Sequence, residues 1–136
     1  MLIRPFKNTD RRAVVALWRS VFGYPQPHNN PELTIRKKLA LQRKLFFVAI
    51  VDGTLAGTAM GGYDGHRGWI YSLAVVPERR RQGIGTALMR HVERALAELG
   101  CPKINLQALP GNDDAVALYE RLGYRIEDRI SMGKVL

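Results

Sequence analysis

The chain has 136 residues and a mass of 15.3 kDa, the size of one domain and too little for two independent cores. Its 46% apolar and 24% charged residues exclude a disordered, collagenous or coiled-coil chain. Lys and Arg number 21 against 12 Asp and Glu, a net charge of +9 with a pI near 10.2, which suggests an anionic partner (nucleic acid, an anionic surface or a phosphorylated small molecule) and is equally an ordinary solvated basic surface. Cys101 is the sole cysteine, so neither an internal disulfide nor a cysteine-based zinc cluster can form. The longest apolar run, residues 45–51, falls far short of the roughly 18 residues of a membrane span. The first ten residues lack a signal-peptide core. A single domain over residues 1–136, cytoplasmic and without a membrane partner, is expected.

In chain order, Leu2, Ile3 and Phe6 suggest a short first strand. Asn8 or Thr9 is the expected cap of a helix with Asp10 in its first turn and Val14, Leu17, Trp18 and Val21 at helical spacing. Residues 23–31, with three Pro and two Asn after Gly23, read as a loop, and residues 31–44 as a basic second helix with Leu33, Ile35, Leu39 and Leu41 among its apolar positions. A buried strand follows at 45–51, then an Asp52-Gly53 turn, a returning strand at 54–62, a second turn at 63–68 and a strand at 69–76. Residues 83–99 repeat Ile84, Leu88, Val92, Ala95 and Leu99 with a helical period, and Gly100 stops them. A strand at 103–108, a helix from Asn112 to Leu122 ended by Gly123, and one or two strands in 124–136 complete the prediction. Hairpins early and a strand–helix–strand crossover later predict a mixed α/β sheet, mostly antiparallel, with a splayed parallel strand pair and helices on both faces.

The chemistry is concentrated in residues 73–86, LAVVPERRRQGIGT. A strand ends, a basic loop follows, and a helix opens on Gly83 and Gly85. Backbone N–H groups can converge there on an anion without Cβ obstruction, reinforced by the helix dipole and by Arg79, Arg80 and Arg81. The third glycine of a dinucleotide fingerprint is absent, because Leu88 stands in its place, and no Gly-Lys-Ser/Thr follows. Taken alone, the glycine pair is equally the start of an ordinary helix beside a solvated basic turn.

The strand, Arg80-x-x-Gly83-x-Gly85 and the helix resemble the acetyl-coenzyme-A signature of the GNAT superfamily of N-acetyltransferases. A second block, from Asn112 through Ala115, Leu118 and Tyr119 to Gly123-Tyr124, resembles that family's downstream pattern. The two blocks are joined by one helix and one strand, as that fold requires. The resemblance implies acetyl-CoA as co-substrate and a primary amine as acceptor. It places backbone groups of Leu73, Ala74 and Val75 against the pantetheine arm. Arg80, Arg81, Gln82, Gly83, Ile84, Gly85 and Thr86 would lie around the pyrophosphate, and Asn112 would be a further cofactor contact that also serves as a helix cap. Tyr119 matches the family's tyrosine that protonates the departing thiolate; without the second block it reads as a core tyrosine.

One departure stands out: Gln107 occupies the position where some relatives carry a glutamate, and an amide cannot titrate. Asp64, His66, Tyr71 and Glu78 remain as alternatives for a base, each with an ordinary structural reading. No metal site is expected, because the three histidines lack ligand spacing. The rival reading is a non-enzymatic binder of RNA or ribosomes on the same scaffold. No nucleic-acid-binding motif supports it, so nucleic acid is disfavoured as a partner, while a homodimer stays open.

Overall fold

The structure, a computed structural model, describes residues 1–23 and 26–136. The part of the expected 23–31 loop at Tyr24 and Pro25 lies outside the described residues. Backbone contacts divide the chain into two compact units, Met1–Leu106 and Gln107–Leu136.

The first unit is built on a five-stranded sheet in the order β1 (Leu2–Pro5), β2 (Phe46–Val51), β3 (Thr54–Tyr63), β4 (Gly68–Val75), β5 (Ile104–Asn105). The first three pairings are antiparallel and β4–β5 is parallel. Three helices cover the sheet: α1 (Arg11–Phe22), α2 (Pro31–Leu41) and α3 (Ile84–Glu98). β2 explains why its residues read as an unbroken apolar run: alternate side chains serve both faces. Phe46 and Val48 join Phe6, Val14, Leu17, Trp18, Ile35, Met60 and Ala74 in the core beneath α1 and α2. Phe47 points the other way, where the His91 ring of α3 meets it edge-on at 4.5 Å between centroids.

On that second face α3 lies very close to β3. A Cβ on Gly57 would come within 2.8 Å of the Ala74 carbonyl and 3.0 Å of Leu88 Cδ1, so only glycine permits the approach. The face α3 buries is Ile84, Leu88, Met89, Val92 and Leu96. The expected stripe therefore holds at its start but not at its end. A strict 3.6-residue period carries it to Leu96, leaving Leu99 54% exposed and Ala95 half-buried.

Other boundaries differ for identifiable reasons. Neither Asn8 nor Thr9 caps α1. Asp10 precedes the helix, is buried, accepts the Lys7 N–H at 2.8 Å and holds both terminal nitrogens of Arg4 at 2.8 and 2.9 Å. α2 stops at Leu41 because Gln42 turns away to bond the backbone N–H and C=O of Tyr63, past the end of the β2–β3 ladder. Asp52 and Gly53 both take positive φ, 51° and 75°, the two-residue hairpin turn expected between β2 and β3. β5 is shorter than the 103–108 strand expected, since only Ile104 and Asn105 find partners in β4.

In the second unit, α4 (Asp113–Arg121) is capped by the Asn112 side chain, which accepts the Ala115 N–H at 3.4 Å. The strands expected in 124–136 do not form. This unit contains no strand whose ladder could pair with them, and Ile126, Ile130 and Met132 are exposed. Among the described residues, no helix is long and apolar enough to cross a membrane.

Candidate active site

β4 carries the centre of the site. Its pairing with β5 covers only Gly68↔Ile104 and Trp69↔Asn105, so no ladder partner in β5 stands opposite Ile70–Val75. The parallel ladder stops after two pairs and leaves a β4 edge at Leu73, Ala74 and Val75, without a ladder partner in β5, whose backbone groups can bond an amide-bearing chain.

That edge is shaped by a bulge the sequence did not reveal. On the β3 side the register slips between Thr58↔Ala74 and Met60↔Tyr71, placing an extra residue in β4. Ser72 sits there with φ 52°, a left-handed conformation that L residues seldom adopt. A buried relay holds it. Trp18 Nε1 donates to Thr58 Oγ1 at 2.8 Å, and the Thr58 hydroxyl donates to the Ser72 carbonyl at 2.9 Å. Trp18 and Thr58 are completely buried. The one sequence signal for this is a threonine within the buried β3 run AGTAM.

Beyond β4 a 3-10 turn at Pro77–Arg79 leads to the loop before α3. Arg81 and Gly83 are left-handed, with φ 63° and 80°, on either side of Gln82. The first N–H in the α3 ladder is that of Ala87, bonded to Gly83 O at 3.0 Å. Those of Ile84, Gly85 and Thr86 thus precede the ladder, and no side chain caps the helix. This differs from α2 and α4, whose first turns are capped by Asn30 and Asn112. The space beside Gly83 is open: a Cβ built there meets nothing within 4 Å. An uncapped N-terminus, positive in its dipole and open to solvent, fits a pyrophosphate.

The three arginines differ in what they touch. Arg79 is tethered to Asp52 at 3.4 Å, and Arg80 Nε donates to Val75 O, also at 3.4 Å. Arg81 and Gln82 are exposed at the mouth of the loop. Leu73 through Thr86 thus form one continuous strand, turn and helix start in the first unit.

Asn112 and Tyr119 lie in the second unit, at the cap and on the body of α4. Tyr119 is half-buried, its ring edge-on to Tyr124 at 6.1 Å between centroids. Burial pushes its hydroxyl pKa up, which disfavours the phenolate. Gln107 in the same unit donates to Ser131 Oγ at 2.5 Å.

The alternatives for a base separate clearly. Asp64 closes its turn by accepting the N–H groups of Arg67 and His66 at 2.7 and 2.8 Å, and these bonds hold its carboxyl below the ordinary range. Tyr71, 47% exposed on β4, has its pKa raised by partial burial and by the Asp64 charge, which disfavours its anion. Glu78 lies exposed in the 3-10 turn and His66 in the 63–68 turn. Among the described residues no three His, Cys, Asp or Glu are grouped as a metal site would need.

The chain is similar to solved acetyltransferase structures. Ard1 from Thermoplasma volcanium matches at 26% identity with a TM-score of 0.82, covering 93% of this chain and 83% of that one. The ribosomal-protein-S18-alanine N-acetyltransferase from Escherichia coli matches at 26% with a TM-score of 0.73, over 90% of this chain and 76% of that one. The aminoglycoside N-acetyltransferase AAC(6')-Iy in complex with CoA shares the fold at 20% identity, with a TM-score of 0.78, covering 98% of this chain and 93% of that one. The acetyltransferase (GNAT) family pattern matches residues 11–124. With that match over most of its length, the short parallel β4–β5 pair and the uncapped glycine-opened α3, the chain belongs to the acetyltransferase (GNAT) family.

Proposed function

We propose that the protein transfers the acetyl group of acetyl-CoA to a primary amine by direct attack in a ternary complex. The observation that carries the reading is the uncapped N-terminus of α3, open at Gly83 and continuous with the unpaired edge of β4. In it, the N–H groups from Gln82 to Thr86 take the pyrophosphate, with Arg80 and Arg81 supplying charge beside them. Backbone groups of Leu73, Ala74 and Val75 align the pantetheine arm, and Asn112 adds a contact from the cap of α4.

Bound acetyl-CoA supplies a thioester: the amine nitrogen bonds its carbonyl carbon, the C–S bond breaks, and an amide and coenzyme A leave. Tyr119 donates the proton that the departing sulfur takes up, and the tyrosinate left behind regains one through water. The acceptor amine must lose a proton before it attacks and a second as the amide forms; Gln107 cannot take either, so they pass to water. Asp64, held as a turn acceptor, is a poor base as well. Within the family, residues 60–68, 100–104 and 119–124 resemble the small bacterial acetyltransferase YpeA.

The test is a panel of primary amines incubated with protein and acetyl-CoA, reading free thiol and the acetylated product together. Amine-dependent thiol release matched by product supports the reading. Tight coenzyme A binding without transfer to any amine would leave a binding protein instead.

A further inference from the structure

The two faces of the sheet carry very different charge. Residues 11–45, which contain α1, α2 and the turn into β2, hold eight Lys and Arg against one acid, Glu32, so this quarter of the chain has +7 of the total +9. α3, covering the opposite face, is balanced: Arg90 and Arg94 against Glu93 and Glu98. Charge kept for solubility has no reason to collect on one pair of helices.

On the basic side, Arg12, Arg19, Arg36, Lys37, Arg43 and Lys44 are exposed. Among the described residues the single ion pair of this segment is Arg11–Glu32, at 3.3 Å. A hollow of about 370 Å³ between the starts of α1 and α2 is lined by Arg11, Asn30, Glu32, Leu33 and Arg36. Lys38 turns inward from α2. It donates to the Gly61 carbonyl, past the end of the β2–β3 ladder, and no acid is its partner among the described residues. Burial without a counter-charge pushes its pKa down to about 8. Beside it, Tyr71 of β4 and Gln42 at the end of α2 close over Gly62, within 3.3 and 3.5 Å of where a Cβ would stand. The unbalanced charge therefore runs from the outer surface of α2 inward to β3, the strand paired with the bulged β4.

We propose that the α1–α2 face receives an acidic polypeptide segment, and that an amine of this polypeptide is the acetyl acceptor. The proposal rests on the transferase reading above. Two helices of 12 and 11 residues, about 18 and 16 Å long at 1.5 Å per residue, present charge over too wide a span for one small molecule. An extended chain with several carboxylates matches it. Nucleic acid matches the charge but not the chemistry, because its exocyclic amines are conjugated and poor nucleophiles. α2 and the turn after it also contain no aromatic residue on which a base could stack. The donor side is served by the start of α3 on the other face, which leaves α1 and α2 for the acceptor.

The experiment compares ten-residue peptides with a free amino terminus, identical except that the positions after the first are Asp and Glu, or Asn and Gln, or Lys. Acetylation is followed by mass spectrometry with acetyl-CoA present. The acidic peptide is expected to exceed the neutral one at least tenfold in kcat/KM at about 50 mM salt, with the ratio shrinking as salt screens the charges. A variant with Arg36→Gln, Lys37→Gln, Arg43→Gln and Lys44→Gln, all at exposed positions, should bring that ratio close to one, chiefly through KM. Circular dichroism and Tm establish that the variant is folded. Equal kcat/KM for acidic and neutral peptides overturns the proposal, as does a preference that survives the variant. If an RNA of equal charge binds this face while the peptides are not distinguished, the face belongs to nucleic acid and the proposal fails. Failure of the transferase reading looks different: acetyl-CoA then produces no rise in Tm and no amine of any charge is acetylated. If acetyl-CoA does raise Tm but the acidic peptide is not acetylated, the acceptor assignment alone is wrong.

Discussion

Thr58→Val removes one hydroxyl from the centre of the first unit and leaves the shape of the side chain almost unchanged, so no cavity forms. What is lost is a relay. Trp18 Nε1–H loses the acceptor that Thr58 supplies at 2.8 Å, and the Ser72 carbonyl loses the donor at 2.9 Å. Trp18 is completely buried, so water cannot replace the bond. Leaving a buried polar group unsatisfied costs roughly 1–3 kcal/mol. The Trp18 side bears the full cost and the half-buried Ser72 carbonyl a smaller one, giving about 2–4 kcal/mol. Ser72, at φ 52°, then keeps its left-handed strain, on the order of 1–2 kcal/mol, with one restraint fewer. The assay is guanidinium unfolding of wild type, Thr58→Val and Thr58→Ser. The serine variant keeps the hydroxyl and loses a methyl, a loss of about 1 kcal/mol. Thr58→Val should therefore be the less stable of the two, with an unchanged m-value. It should also weaken acetyl-CoA several-fold, because Ser72 immediately precedes the β4 edge assigned to the pantetheine arm. A valine variant as stable as the serine variant refutes the relay as the support of the bulge.

Tyr119→Phe should lower kcat by about 10²–10⁴ with little change in acetyl-CoA affinity, measured with a true acceptor where chemistry limits the rate; a fall below tenfold removes the acid role. Arg80→Ala with Arg81→Ala should weaken coenzyme A more than a pantetheine fragment lacking phosphates, and equal losses would mean that these arginines do not meet phosphate. Lys38 provides a pH prediction. Burial brings its pKa to about 8 from 10.5, so between these values the native state binds fewer protons than the unfolded chain, and stability rises with pH. Solvent screening of this half-buried amine limits the gain to about 1 kcal/mol. Lys38→Met should abolish that rise in unfolding experiments from pH 7.5 to 10.5, and a variant with the wild-type slope contradicts the assignment.

The local backbone of the candidate site was legible because its parts are adjacent in sequence. Gly83 at a helix start, the neighbouring arginines and the Asp52-Gly53 turn each follow from a few adjacent residues. The unbroken apolar run of β2 announced a strand buried on both faces, and Phe46 and Phe47 point to opposite sides as that requires. What was not legible depends on partners distant in sequence. Ser72 bulges because Thr58, 14 residues earlier, holds its carbonyl and is itself bonded by Trp18, a further 40 residues back, and nothing in the local sequence of β4 marks it. Asp10 precedes α1 because Arg4 and the Lys7 N–H claim its carboxylate. The 124–136 segment has apolar residues suited to strands, but a strand exists only where a ladder partner does.

Calorimetric titration of acetyl-CoA into the wild type and Gly83→Asp tests the donor site most directly. The substitution places a Cβ and a negative charge at a left-handed position where the protein itself offers no clash, so the native fold should survive with a loss of about 1–2 kcal/mol in stability. The account predicts saturable binding to the wild type and none detectable to the folded variant. Equal affinity for both, with the variant folded, would contradict the placement of the pyrophosphate at the start of α3 and with it the proposed acetyl-donor site.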